Sequence, residues 1–259
     1  MTKLLQFPYS HFCEKARWAL DYKHQPYTVQ NLLPICHLFT ARRLAPHRQL
    51  PILLIGDAVI QGSDRIIDWL DTHIAAYPLT PADQALARQA REWEQFAAQE
   101  IGIQLRRWFY AHILGDRRRL LHFLSQDATP AQRLALRCGM PLLRVAMRKA
   151  MAITPHNTQK SADRLCRALD RLDAAIAGSF YLTGDAFSRA DLSTAALLSP
   201  LVAIGSSDEE LTERLPAAVY AWRAREADRP AFRWVREQYR LHRRPSPEED
   251  APPTDLTDW

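Results

Sequence analysis

The sequence predicts a small mixed α/β domain followed by an all-helical one, and three observations predict it. Short apolar runs alternate with helix-spaced stretches over residues 1–76. Pro78 and Pro81 then punctuate a linker, 77–81, that cannot continue a helix. Beyond it, residues 82–242 are rich in Ala, Leu, Gln, Glu and Arg, with apolar side chains recurring at helical spacing.

Each element of the first domain has a local cause. Residues 3–7 (Lys-Leu-Leu-Gln-Phe) read as a buried strand ended by Pro8-Tyr9-Ser10. Phe12, Ala16, Ala19 and Leu20 set a helix over 12–23, Pro26 prevents its continuation, and 27–32 resumes as strand. Residues 34–48 are too irregular to assign. Two apolar runs around Gly56-Asp57 make 50–60 a hairpin. Ser63 is expected to cap the next helix, with Asp64 in its first turn and Ile66, Ile67 and Leu70 as its apolar stripe. The order β-α-β-x-β-β-α describes a parallel strand pair joined by a helix, then an antiparallel hairpin, in one small sheet.

In the second domain, helices are expected over 82–114, 161–176, 184–198 and 216–241. Residues 113–158 read as a basic helical insertion. Between Arg106 and Lys149 ten basic residues face only Asp116 and Asp127, so this stretch outweighs the +5 charge of the whole chain. Residues 132–151 mix Leu134, Leu142, Leu143, Val145 and Met147 with Arg133, Arg137, Arg144, Arg148 and Lys149. A packed helix with a solvated basic face, interrupted by Pro141, is the favoured reading; a helix lying on a membrane surface or an anionic partner is the alternative. The proline-rich acidic stretch 243–259 reads as a disordered tail.

Composition narrows the function classes. A chain of 259 residues with 47% hydrophobic content can bury a sizeable core without a disulfide scaffold. Cys13, Cys36, Cys138 and Cys166 form no CxxC and have no His-rich companion, so no metal site and no redox dithiol is expected. Charges interrupt every apolar stretch before a membrane span is reached, and no basic-apolar-small signal opens the chain, which points to the cytoplasm and to no nucleic-acid partner.

Chemistry is concentrated at the first strand–helix junction. Ser10 stands where main-chain N–H groups converge and the helix dipole favours negative charge, a place for a thiolate. Ser10-His-Phe-Cys13-Glu-Lys15 is similar to the CPFC-x-K turn of glutaredoxins with serine in the place of the attacking cysteine, which turns the expected chemistry from disulfide exchange toward stabilising a bound thiolate. Ser10 as a plain helix cap is the alternative. His11 reads as exposed surface rather than a base, and Cys13 as a small core residue.

Tyr9-Ser-His-Phe-Cys-Glu-Lys-Ala-Arg-Trp-Ala-Leu20 resembles the corresponding junction of glutathione S-transferases, especially the serine-using theta and zeta classes. Leu44-Ala-Pro-His-Arg-Gln-Leu-Pro-Ile-Leu53 resembles the family's L-N-P-x-x-x-V-P-x-L, and Gln61-Gly-Ser-Asp-Arg-Ile-Ile-Asp-Trp-Leu70 its Q-S-x-x-I-I-x-Y-L. Gly184-Asp-Ala-Phe-Ser-Arg-Ala-Asp-Leu192 resembles its G-x-x-x-S-x-A-D-L signature, a helix start in which Ser188 and Asp191 are structural.

The resemblance implies a thioredoxin-like N-terminal domain, an all-helical C-terminal domain, glutathione as co-substrate and a homodimer. It implies that Ser10 is catalytic, that a cis bond precedes Pro51, that the Leu50 backbone pairs with the cysteinyl unit, and that Ser63 holds the γ-glutamyl carboxylate. Gln49 and Arg48 are the candidates for the glycyl carboxylate, whereas Arg42 and Arg43 read as solvated. Gly62 departs from the usual Gln or Glu, which removes one contact to glutathione, and Gln61 is not counted as its substitute. Trp108, Phe109 and Tyr110 are candidates for the apolar wall of a small electrophile's pocket, with a core role equally open. The first expectation is a transferase that presents the glutathione thiolate to that electrophile; the alternatives are a non-catalytic binding or regulatory protein of the same fold, or a glutathione-dependent isomerase of the zeta kind.

Overall fold

The computed structural model describes residues 2–125, 128–202, 204 and 215–243. Four strands, β1 (Thr2–Gln6), β2 (Thr28–Asn31), β3 (Ile52–Ile55) and β4 (Ala58–Gln61), form one sheet in the order β2-β1-β3-β4. β1 runs parallel to β2 and antiparallel to β3, as the β-α-β then hairpin order requires. The helix α1 (His11–Tyr22) crosses between β1 and β2, and α3 (Ser63–His73) follows β4.

The unassigned stretch contains α2 (Cys36–Leu44). Its start carries none of the usual sequence signals: Ile35 takes a left-handed φ of 75°, no side chain caps it, and His, Phe and Thr fill its first half. Ser63 is the first residue of α3 rather than its cap. Gly62 holds the cap position at φ 102°, a conformation that side chains other than glycine's rarely adopt, and a Cβ there would meet Asp64 Oδ1 at 2.9 Å.

The remaining helices are α4 (Gln84–Phe96), α5 (Ile103–Ile113), α6 (Arg117–Leu124), α7 (Pro130–Ala150), α8 (Pro155–Ile176), α9 (Arg189–Val202), α10 (Ala217–Arg225) and α11 (Pro230–His242). α4 passes into α5 through a π-helical turn, Ala97–Gly102. Gly102 is required there: a Cβ would stand 2.8 Å from the Phe12 ring and 3.1 Å from Leu197. The helix expected over 216–241 is two helices, because Pro230 cannot continue α10 and the Asp173 carboxylate takes the Ala231 N–H at 2.7 Å. Residues 184–188 form the turn before α9, where Asp191 accepts from Leu182 N–H at 2.7 Å and from Ser188 N–H at 3.0 Å. The acidic tail expected at 243–259 lies, beyond Arg243, outside the described residues.

Pro141 does not interrupt α7. The missing N–H of Pro141 frees the Arg137 carbonyl, which accepts from Arg117 Nη2 of α6 at 3.0 Å. Pro200 in α9 is accommodated in the same way, since the Ala196 carbonyl accepts from the Ser199 hydroxyl at 2.9 Å.

One apolar core spans the sheet and the helices, with Leu4, Trp18, Leu20 and Leu53 packed together with Ile101, Leu169, Leu197 and Phe232. Within it runs a seam of buried charge. Lys15 of α1 and Arg189 of α9, each with a side chain 1% exposed, both bind Glu94 of α4, at 2.5 Å. Arg189 also reaches Asp68 of α3 at 2.6 Å. A second group ties α1 to the end of α11, with Arg243 on Glu14 at 2.9 Å and on Asp21 at 2.7 Å. Ion pairs thereby tie α1 to α4 and to the end of α11, and Glu94 and Arg189 extend the chain of charge to α9 and α3, which also pack on α1.

Candidate functional site

Strand register gathers the candidate residues at one end of the sheet. Leu5 pairs with Ile52, and Ile52 pairs with Gln61, so the end of β1, the start of β3 and the end of β4 lie side by side. Ser10 follows the first, Leu50 and Pro51 precede the second, and Gly62 and Ser63 follow the third. The Gly62 N–H bonds the Pro51 carbonyl at 3.0 Å, closing the group.

Ser10 occupies the N-cap of α1 with extended backbone (φ −89°, ψ 120°), and its hydroxyl makes no capping bond. Capping therefore does not occupy the side chain, although the position is a cap position. Its hydroxyl lies beside the Cys13 thiol, which is fully buried; burial pushes that thiol up, against the opposing contacts of the Phe7 backbone and Ser10. Cys13 is a core residue that stays protonated, in line with the sequence.

The Leu50–Pro51 bond is cis. The loop before it is held by Gln61, whose amide donates to the carbonyls of His47 at 2.7 Å and Gln49 at 2.8 Å and whose oxygen accepts the His47 N–H at 3.0 Å. This explains why Gln61 cannot stand in for the side chain absent at Gly62: its polar atoms are committed to the 47–49 loop. Sequence reasoning weighed Gln61 only as a ligand contact and missed its positioning role. Gln49 and Arg48 are exposed on that loop, as are Arg42 and Arg43 on α2, and Ser63 is buried at the first turn of α3.

His11 overturns its expectation. It is buried, and its Nε2 donates to the Gly102 carbonyl at 3.1 Å. Burial, then the nearby Arg106 charge, lowers its pKa to about 3, with the Gly102 bond only partly opposing them. The ring is a neutral tether between α1 and the π-helical turn, and no proton acceptor for catalysis near neutral pH is left exposed on it. The partner is 91 residues away in sequence, which is why no local signal announced it.

The three aromatic wall candidates separate. Trp108 is buried in the main core against Trp222 at 5.4 Å, so it serves the packing of the helical part. Tyr110 and Phe109 face the site side through Phe123 of α6, at 6.1 and 5.2 Å between ring centroids. Phe123 in turn meets Tyr9 at 4.6 Å. Tyr9 is held protonated by burial and by Tyr110. Arg106, one turn before Tyr110 and close enough to interact with it electrostatically, lies over the Phe12 ring at 5.9 Å, a residue the sequence had counted only as general basic charge. Among the described residues no group of three or more His, Cys, Asp or Glu side chains could hold a metal ion.

Comparison with known proteins agrees with this fold. Residues 4–78 match the family model described as the glutathione S-transferase N-terminal domain. The chain is 27% identical over 252 residues to "Glutathione S-transferase TCHQD" of Arabidopsis thaliana, covering 92% of this chain and 90% of that protein. Among solved structures, a glutathione S-transferase from Methylobacterium radiotolerans in complex with glutathione sulfonate aligns with a TM-score of 0.63 at 18% identity, over 100% of this chain and 98% of the other. The beta-etherase LigF from Sphingobium sp. strain SYK-6 aligns at 0.61 with 19% identity, over 92% and 99%. FzlA from C. crescentus aligns at 0.52 with 20% identity, over 90% and 91%. At these identities the structural matches speak for the fold.

Proposed function

This chain belongs to the glutathione S-transferase superfamily, and from that premise we propose that it is a transferase that binds glutathione at the sheet end and activates its thiol for attack on a small electrophile. The observation that carries the reading is the Ser10 hydroxyl at the N-terminus of α1, uncommitted to capping, beside the cis Leu50–Pro51 bond and the first turn of α3. A sulfur placed there would meet one hydroxyl donor and the positive end of a helix dipole, both of which favour the thiolate over the thiol. The Leu50 backbone precedes β3 and has no main-chain partner among the described residues, which suits pairing with an extended peptide. Ser63 with the first N–H groups of α3 suits a carboxylate, and the exposed Gln49 side chain offers an amide donor to the other end of the tripeptide.

Chemistry then requires only that the thiolate be formed, held and shown to the electrophile. Phe109, Tyr110 and Phe123 give that electrophile an apolar wall, and Arg106 favours one that bears or develops negative charge. Dimerisation is part of the same proposal, with light scattering as its check. The test is titration calorimetry with glutathione followed by a thiol-conjugation assay on wild type and Ser10→Ala. The variant should lose conjugation by about 100-fold while binding glutathione within a few-fold. Unchanged turnover would reduce Ser10 to a helix-start residue.

A second reading, a binding or regulatory protein without turnover, is favoured by one feature: Gly62 lacks the side chain that would add a contact to glutathione. Glutathione binding without conjugation of any electrophile would establish it. A glutathione-dependent isomerase would use the same thiolate and is recognised by product analysis.

A further inference from the structure

We propose that α7 docks this protein on the surface of an anionic phospholipid bilayer. Neither the transferase chemistry nor the packing of the fold uses the feature that points to it. At about 3.6 residues per turn, Leu136, Met140, Leu143 and Met147 fall on one side of α7. That side is the packed one, against Leu120 and Leu124 of α6 and Ile113 of α5. On the opposite side Leu134, Cys138, Pro141, Leu142 and Val145 align as a second apolar stripe, and this one is open to solvent. Leu134, Leu142 and Val145 are 62%, 73% and 66% exposed. A helix that needs only one face for its own fold thus carries two.

Charge selects the occupant. Arg133, Arg137, Arg144 and Arg148 line one border of the exposed stripe, Lys149 lies within it, and α7 contains no acidic residue. α6 adds Arg117 and Arg118, again with no acid in the helix. Two copies of this chain meeting through α7 would bring together only positive charge. A nucleic acid would satisfy the arginines but leave the leucines and valine in water. The headgroup layer of an anionic bilayer takes both, with phosphates on the arginine border and the acyl boundary under Leu134, Leu142 and Val145. The helix lies on the surface and does not cross: no helix among the described residues is long and apolar enough to span a membrane. The packed face of α7 shares its cluster with Tyr110 and, through Phe109 and Tyr9, with the wall of the candidate site, so docking would put that wall one helix layer from the lipid.

The test is co-sedimentation of the full chain with vesicles of phosphatidylcholine alone and of an equimolar mixture with phosphatidylglycerol. The chain should pellet with the mixture and remain in solution with phosphatidylcholine. The variant L134Q/L142Q/V145Q should bind the mixture about tenfold more weakly or worse, and R133Q/R144Q/R148Q should lose the preference for the anionic lipid. Because these side chains are solvent-facing, both variants should keep the wild-type far-ultraviolet circular dichroism and thermal midpoint, which separates lost docking from lost folding. Failure of the wild-type chain to bind the anionic vesicles, or equal binding by the apolar variant, would overturn the proposal. A wild-type dimer that L134Q/L142Q/V145Q converts to monomer, or binding of duplex DNA in preference to vesicles, would assign the stripe to a different occupant and overturn it equally. None of these readouts depends on glutathione chemistry, so the proposal stands or falls apart from the transferase reading.

Discussion

The seam around α1 and the α6–α7 pair use charge in opposite ways. In the seam every buried cation has a carboxylate: Lys15 and Arg189 share Glu94, Arg189 adds Asp68, Lys23 binds Asp71 at 2.7 Å, and Arg243 bridges Glu14 and Asp21. α7 carries five bases and no acid, none of the five has an ion-pair partner among the described residues, and they are carried on the outside. Balanced charge in the interior is a positioning device, since an ion pair removed from water is tolerable only with its partner in place. Unbalanced charge at the surface costs the fold little and is available to a partner. The first arrangement fixes the helix whose N-terminus carries Ser10; the second faces outward.

Breaking the seam should therefore have the largest effect. Glu94→Gln removes the shared carboxylate from two buried cations and should cost about 3–5 kcal/mol in denaturant unfolding. Replacing Arg133, Arg144 and Arg148 together should move the same measurement by no more than about 0.5 kcal/mol per site. Equal effects would erase the distinction.

His11 gives the comparison a pH axis. Its pKa is ordinary, 6.5, in the unfolded chain and lowered to about 3 in the folded one, by burial and then by Arg106. Below 6.5 the unfolded state takes up a proton that the native state refuses, so this contribution is complete above pH 6.5 and is lost as pH falls toward 3. The slope is about 1.4 kcal/mol per pH unit while the two states differ by one proton. A His11→Asn variant, measured by denaturant unfolding between pH 7 and about pH 4, should show a correspondingly flatter profile even if it is less stable at neutral pH.

A smaller effect is expected at Gln61, which sits in the interior but holds neutral groups. Gln61→Leu leaves the carbonyls of His47 and Gln49 and the His47 N–H without their partner, and should cost about 1–3 kcal/mol. Through the loosened 47–50 loop it should raise KM for glutathione more than it lowers kcat. A kcat loss with unchanged KM would remove Gln61 from the positioning of that loop.

The same contrast explains what could be read in advance. Apolar runs, Gly56-Asp57 and the prolines are local signals, so the strands, α1, α3 and the hairpin were legible, as was the Ser188–Asp191 helix start. The seam was not, because its partners are far apart in the chain: Lys15 and Glu94 are 79 positions apart and Arg189 and Glu94 are 95. Each alone looks like a solvated charge on an amphipathic helix. His11 was misread for the same reason. α2 escaped because its entry lacks a cap, and the cap of α3 was assigned to Ser63 because serine is the usual choice while Gly62 earns the place through its left-handed φ. At the site, the residue types and their order were visible; the commitment of Gln61 and the core placement of Trp108 needed the packing. In α7 the mixture of leucine and arginine was legible, but only burial separates its packed apolar face from its exposed one.

In the proposed function, Ser10 and the start of α1 hold glutathione sulfur as its thiolate. Titrating the ultraviolet thiolate absorbance of protein-bound glutathione against pH, in wild type and Ser10→Ala, tests it directly. The expected midpoint is well below the ordinary thiol value of about 8.5 for the wild type and returns toward that value in the variant. Bound glutathione that titrates at the same pH in both proteins would contradict it.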